Sequence, residues 1–354
     1  MDLAVIWFIA ISVLWIGYFI LEGFDFGVGT LLPFMGRRDS VDRRVTINSI
    51  GPVWDANEVW LLTAVGATFA AFPAWYASLL SGFYVPLFAI LIALILRGVA
   101  FEYRGKRDGS AWRAWWDRAI FFGSAVPAFL WGVAFANIVR GVAMDADQIV
   151  TAGVLDLFNP YALLGGLTTL SLFTLHGAVF LTLKTDGPVR ARARTAALWS
   201  ACAAVPAAVA FLAWTQSAHG EPWTLLPAAV ASVALVVGVL AVLLRHERLS
   251  FTLTAVTVLT AFTTLLGSLF PDVLPSTTDP AFSLTVANAS SADYTLTVMS
   301  WVAVFFLPLV LAYQGWSYWV FRQRVTGATV TGAPDPDTGT DPDARPEPEH
   351  EPAA

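Results

Sequence analysis

Nine stretches of predominantly apolar residues recur along the chain, each near the ~20 residues a helix needs to cross about 30 Å of hydrocarbon. They run Leu3–Leu21, Ile50–Phe72, Trp75–Leu96, Ala119–Val139, Tyr161–Leu183, Ala196–Gln216, Trp223–Leu244, Phe251–Phe270 and Leu296–Phe321. The first lacks a basic n-region and a small-residue cleavage pattern, so it reads as a retained helix rather than a signal peptide. The second is the odd one. Its continuous apolar run, Val59 to Phe72, is too short to cross at 1.5 Å per residue, so a span must draw Trp54, Asp55, Ala56, Asn57 and Glu58 into or near the apolar zone.

Composition agrees with a membrane-embedded chain. Of 354 residues, 57% are hydrophobic and 13% charged, against about 25% charged in soluble domains. Too little polar surface remains to face water in a soluble fold. The expected fold class is therefore an all-α integral membrane protein with nine transmembrane helices over residues 1–325. Residues 326–354 are rich in Pro, Asp, Glu, Thr and Gly and are expected to form a disordered acidic tail. The formal net charge of −6 sits in that tail, where seven carboxylates face only Arg345.

Basic residues then set the orientation. Arg37, Arg38, Arg43 and Arg44 follow the first span; Arg104, Lys106, Arg107, Arg113 and Arg118 follow the third. Lys184, Arg190, Arg192 and Arg194 follow the fifth, Arg245 and Arg248 the seventh, and Arg322 and Arg324 the ninth. Only Arg97, Arg140 and Arg345 of the 20 Lys and Arg stand apart. Short cytoplasmic loops collect such charges, so the N-terminus is expected outside and the C-terminus inside. No basic face for nucleic acid is present. The lone Cys202 excludes an intrachain disulfide and a Cys-rich metal site.

Charged side chains within spans are costly and normally face a bundle interior, a partner or water. Asp55, Glu58 and Leu62 share one helical face, as do Tyr18, Glu22 and Asp25 at the inner end of the first span. Arg97, with Glu102 beyond it, is the nearest cation by topology. A desolvated carboxylate holds its proton more tightly unless a cation counters it, which suits a proton relay; structural ion pairs that orient helix ends are the competing reading. Gly23, Gly27 and Gly29 allow close helix approach. Of four histidines only His176 lies in a span, so no bis-histidine haem can form within this chain.

Several motifs now converge: Gly23-Phe24-Asp25-Phe26-Gly27-Val28-Gly29, Trp54-Asp55-Ala56-Asn57-Glu58-Val59-Trp60-Leu61, Ser81-Gly82-Phe83-Tyr84 and Arg97-Gly98-Val99-Ala100-Phe101-Glu102-Tyr103-Arg104. Asn288-Ala289-Ser290-Ser291 and Tyr313-Gln314-Gly315-Trp316 follow near the end. In order and spacing the chain resembles subunit II of the cytochrome bd quinol oxidases over all but the acidic tail. That resemblance implies two four-helix bundles plus one additional helix, in a multi-pass protein of the bacterial plasma membrane. It implies pairing with a subunit I that holds two b-type haems, one d-type haem and the quinol site, with no haem and no metal in this chain. The complex would oxidise quinol and reduce oxygen to water with cytoplasmic protons and without pumping. Asp25 and Asp55 match acidic positions associated with proton supply, Trp54 packs beside that route, and Arg97 and Glu102 match polar groups of the same region. The expected proton pathway is thus Asp55, Asp25 and Glu58, supported by Trp54, Glu22, Arg97 and Glu102. The resemblance leaves open ubiquinol or menaquinol, a small accessory single-helix subunit, and a quinone or lipid bound here. The long acidic tail departs from the family pattern. A freestanding proton-coupled transporter is the alternative class, but no inverted repeat or matching pair of broken helices is visible. A structural membrane scaffold is a third.

Overall fold

The computed structural model describes residues 2–37 and 40–331, so Arg38 and most of the acidic tail lie outside the described residues. The chain is built of helices: α1 (Leu3–Leu31), α2 (Val41–Ile50), α3 (Trp54–Ala71), α4 (Pro73–Gly82), α5 (Tyr84–Tyr103), α6 (Ser110–Arg140), α7 (Pro160–Lys184), α8 (Gly187–His219), α9 (Leu225–Leu243), α10 (Glu247–Leu269), α11 (Val286–Ala289), α12 (Asp293–Val320) and α13 (Gly327–Thr331). A two-stranded antiparallel ribbon, β1 (Asp272–Leu274) and β2 (Leu284–Thr285), folds the connection between α10 and α12. Among the described residues, eight helices are long and apolar enough to cross a membrane: α1, α5, α6, α7, α8, α9, α10 and α12.

Three expected spans differ from the structure in instructive ways. The second becomes α3, whose polar first turns, with Asp55, Asn57 and Glu58, leave it short of the apolar content of the eight. The third is not one helix. It breaks at Phe83 into α4 and α5, because Pro86 has no N–H for the Gly82 carbonyl and fits only in the first turn of a new helix. The first runs ten residues beyond Leu21, through three glycines to Leu31. Glu22 and Asp25 therefore stand inside α1 and not at the end of a span that stops at Leu21.

Those glycines lie in close packing, Gly23 and Gly27 against α7 and Gly29 against Ser124 of α6. A Cβ on Gly27 would lie 2.0 Å from the Phe173 carbonyl oxygen, and one on Gly177 would lie 2.5 Å from the Gly27 carbonyl carbon. The two backbones touch at that crossing, as small residues permit. Above it an aromatic cluster fills the centre, where Phe19 stacks on Phe262 at 4.1 Å and Trp15 meets Trp131 and Phe135 edge-on. Helices α1, α3, α5 and α6 pack as one group and α7 to α10 as another, joined where α7 meets α1 and α6. Helix α12 lies against α1 and α3 with almost its whole surface uncovered.

Contacts at the two ends show that helix direction alternates. At one end Ser291 donates from its backbone N–H to Ala71 O (2.8 Å), and Val142 pairs with the Pro275–Thr277 strand segment. The opposite end gathers the basic loops. There Glu247 accepts from Arg190, Arg194 and Arg324, and Asp117 is clamped between Arg43 (2.7 Å) and Arg104 (2.6 Å). The start of the expected tail is structured: α13 packs on α2, and Arg44 donates to Val330 O at 2.8 Å.

Candidate functional site

Three helices bring one guanidinium to two carboxylates. Arg97 of α5 is fully buried, and its Nη2 donates to Glu22 Oε1 of α1 and to Glu58 Oε1 of α3. The face of Phe26 lies 4.8 Å from the guanidinium carbon, so the cation is held between acids and an aromatic ring. Such burial is tolerated only because charge is met by charge; an isolated ion there would cost far more than helix packing returns. Glu22 is wholly buried, whereas the Glu58 side chain keeps 23% of its exposure.

Asp25, one turn beyond Glu22 and also fully buried, is held differently. Its Oδ2 accepts from Asn57 Nδ2 at 2.7 Å. Asn57 Oδ1 in turn accepts from the Tyr318 hydroxyl of α12 at 2.7 Å and from Gln314 Nε2 at 3.4 Å. Gln314 Oε1 accepts from Trp60 Nε1 at 3.2 Å. A polar chain thus runs from α12 through α3 into α1 and stops beside the ion-paired cluster. Within it, Arg97 Nε and Nη1, Glu22 Oε2 and Asp25 Oδ1 are buried with no protein partner.

The structure therefore brings together Glu22, Asp25, Glu58 and Arg97. It does not bring Asp55 or Glu102 into the cluster. Both are exposed. Asp55 precedes Glu58 by one turn on the same face of α3, so it marks the surface end of that face rather than a member of the buried group. Trp54 is half-buried, its ring 5.1 Å from Phe101 and against Gly98. Sequence reasoning missed Asn57, Gln314 and Tyr318 as site members. A signal existed for Asn57, which lies between Asp55 and Glu58, but nothing in α12 alone showed that it would turn Tyr318 toward α3.

His176 is buried in α7 with both ring nitrogens engaged: Nε2 donates to Ile20 O at 3.2 Å, and Nδ1 accepts from the Thr254 hydroxyl at 2.8 Å. Phe251 stacks on the ring at 4.9 Å. This histidine joins α1, α7 and α10 and has no nitrogen left for a metal.

Fold and site together define a multi-pass helical membrane protein with a charged cluster between its helices. The family model described as cytochrome bd terminal oxidase subunit II matches residues 3–321, and the chain belongs to that family. It is similar to cytochrome bd ubiquinol oxidase subunit 2 of Bacillus subtilis (strain 168), 46% identical over 329 residues, covering 91% of this chain and 96% of that protein. It is also similar to cytochrome bd-I ubiquinol oxidase subunit 2 of Escherichia coli (strain K12), at 35% identity over 359 residues, 91% of this chain and 94% of that one. The solved bd oxidase of Geobacillus thermodenitrificans contains a chain of the same fold, with a TM-score of 0.74 at 19% identity, over 91% of this chain and 99% of that one. The protein is thus a subunit of a respiratory terminal oxidase, an oxidoreductase.

Proposed function

We propose that this chain is the non-haem subunit of a quinol-oxidising oxygen reductase, that it pairs with a haem-bearing subunit I, and that it delivers protons from the basic-loop side of the membrane. The observation that carries this reading is the cluster of Glu22, Asp25 and Glu58 around Arg97. Three carboxyl groups against one guanidinium are an excess of acid over base in a dry setting, the stoichiometry of a group that takes up and passes on protons. The route begins at exposed Asp55, steps one helical turn to half-exposed Glu58, and continues through the Arg97 and Glu22 pair to Asp25. Quinol as electron donor follows from the names of the relatives. The two b-type haems, the d-type haem and the quinol site belong to the partner in this reading, in keeping with His176, the one histidine buried among the described residues, having both nitrogens in use.

The same reading counts α3 as a ninth crossing. In its favour, α3 begins beside the Arg97 cluster and ends where Ser291 caps Ala71, so it runs antiparallel to α1 and α12. Nine crossings place the N-terminus outside and the C-terminus with the basic loops, inside. Charge separation then arises from where protons are taken up and released, without pumping.

The test is oxygen consumption by the purified two-subunit complex with reduced quinol. Asp25→Asn is expected to lower turnover by at least about tenfold with the haem spectrum intact, and Asp55→Asn to lower it less, since a surface entry group is bypassed by water. Loss of haem from both variants, or full turnover in Asp25→Asn, would instead assign the cluster a purely structural role.

A further inference from the structure

The proton route leaves unused a cavity of about 740 Å³ at the basic end of the bundle, between the ends of α7, α10 and α12. Its walls divide by depth. Phe180 and Phe251 line the part that faces the apolar zone, and Lys184, Arg248, Arg322 and Arg324 line the mouth. A second hollow of about 450 Å³ shares Arg248 and Arg324 and adds Arg245.

Positive charge at this mouth is in excess. The one carboxylate among the two sets of lining residues is Glu247, which already accepts from Arg190, Arg194 and Arg324. Lys184 donates to the Phe321 carbonyl, and Arg322 donates to Trp319 O at 2.7 Å while lying 4.5 Å over the Trp319 ring, so neither is paired with a carboxylate among the described residues. Arg248 is exposed and has no ion pair among the described residues. Loop arginines by themselves report only orientation. Here they rim a concave volume whose inner wall is aromatic, and that combination needs an occupant with an anionic head and an apolar body. A mouth of four cations repels protons, so the cavity does not serve as the entry to Asp25, even though Tyr318 forms part of its wall.

We infer that this cavity binds an anionic phospholipid, its phosphate held by Lys184, Arg248, Arg322 and Arg324 and its acyl chain laid along Phe180 and Phe251. A lipid seated there would also back Tyr318 and hold the end of α12 against α7 and α10.

Native mass spectrometry of the delipidated two-subunit complex tests this, with phosphatidylglycerol, phosphatidylcholine and inorganic phosphate as probes. Phosphatidylglycerol is expected to bind at about thirtyfold lower concentration than phosphatidylcholine, the effect of two arginines beside an anionic headgroup. The double variant Arg248→Gln with Arg322→Gln should erase that preference, and the Arg248→Lys with Arg322→Lys pair should keep most of it. Equal binding of the two lipids, or an unchanged preference in the glutamine variant, would overturn the assignment. Displacement of the bound lipid by inorganic phosphate would also overturn it, in favour of a site for a soluble anion.

Discussion

Arg97 serves two carboxylates with one nitrogen, and that makes it the least replaceable side chain of the cluster. Arg97→Ala leaves Glu22 and Glu58 facing each other without a cation. Breaking a buried pair in this way costs about 3–5 kcal/mol, so a sharp drop in the melting temperature of the purified complex is expected. Arg97→Lys should rescue only part of it, because an ammonium keeps the charge but not the planar guanidinium that lies against the Phe26 ring. Tyr318 makes a gentler test. Its hydroxyl touches Asn57, not a carboxylate, so Tyr318→Phe should cost about 1 kcal/mol and leave oxygen consumption within a few-fold. Asn57→Leu, which strips Asp25 of its donor, should lower turnover nearly as far as Asp25→Asn.

Between elements, the contact that places the cluster is the crossing of α1 and α7. Gly27 and Gly177 meet there backbone to backbone, and the adjoining turn of α1 carries Asp25. A methyl at Gly177 would meet the Gly27 carbonyl carbon and the Val28 nitrogen, each at 2.5 Å. Main-chain atoms cannot swing aside as a flexible side chain can, so Gly177→Ala must part the helices, at a cost of about 1–3 kcal/mol or more. Gly98 is the matched control, since its added methyl would meet only the Trp54 ring at an ordinary 3.6 Å. Gly98→Ala is expected to melt like the parent, and Gly177→Ala to melt lower and to lose activity with it.

At the scale of the whole molecule, α12 presents a long apolar face, with Trp301, Phe305, Tyr313 and Trp316 each more than half exposed along its length. Such a face suits burial against a partner as well as lipid. A reduced-minus-oxidised spectrum separates the functional classes at this scale. The complex taken gently from its native membrane should show b- and d-type haem bands, and the chain expressed alone should show none. A colourless single-chain preparation would overturn the pairing with a haem-bearing subunit.

Much of this architecture was legible before any coordinates. Apolar length, charge count and the distribution of arginines depend on local chemistry alone, and they sufficed to read a multi-pass helical membrane protein and the polar residues within its spans. The motifs around Asp25, Trp54 and Arg97 were enough to suggest the family. What needed tertiary structure was the sorting of those polar residues. Helical spacing grouped Asp55 with Glu58, yet only tertiary structure brings Arg97 of α5, already paired with Glu22 of α1, to Glu58 and leaves Asp55 exposed. Likewise the break at Phe83 and the continuation of α1 through three glycines were decided by neighbours, Pro86 within the chain and α6 and α7 across it. Tyr318, 261 residues from Asn57, enters the site for the same reason. A residue's type tells what it can bond, but in a membrane bundle only the helix beside it tells whether that bond is made.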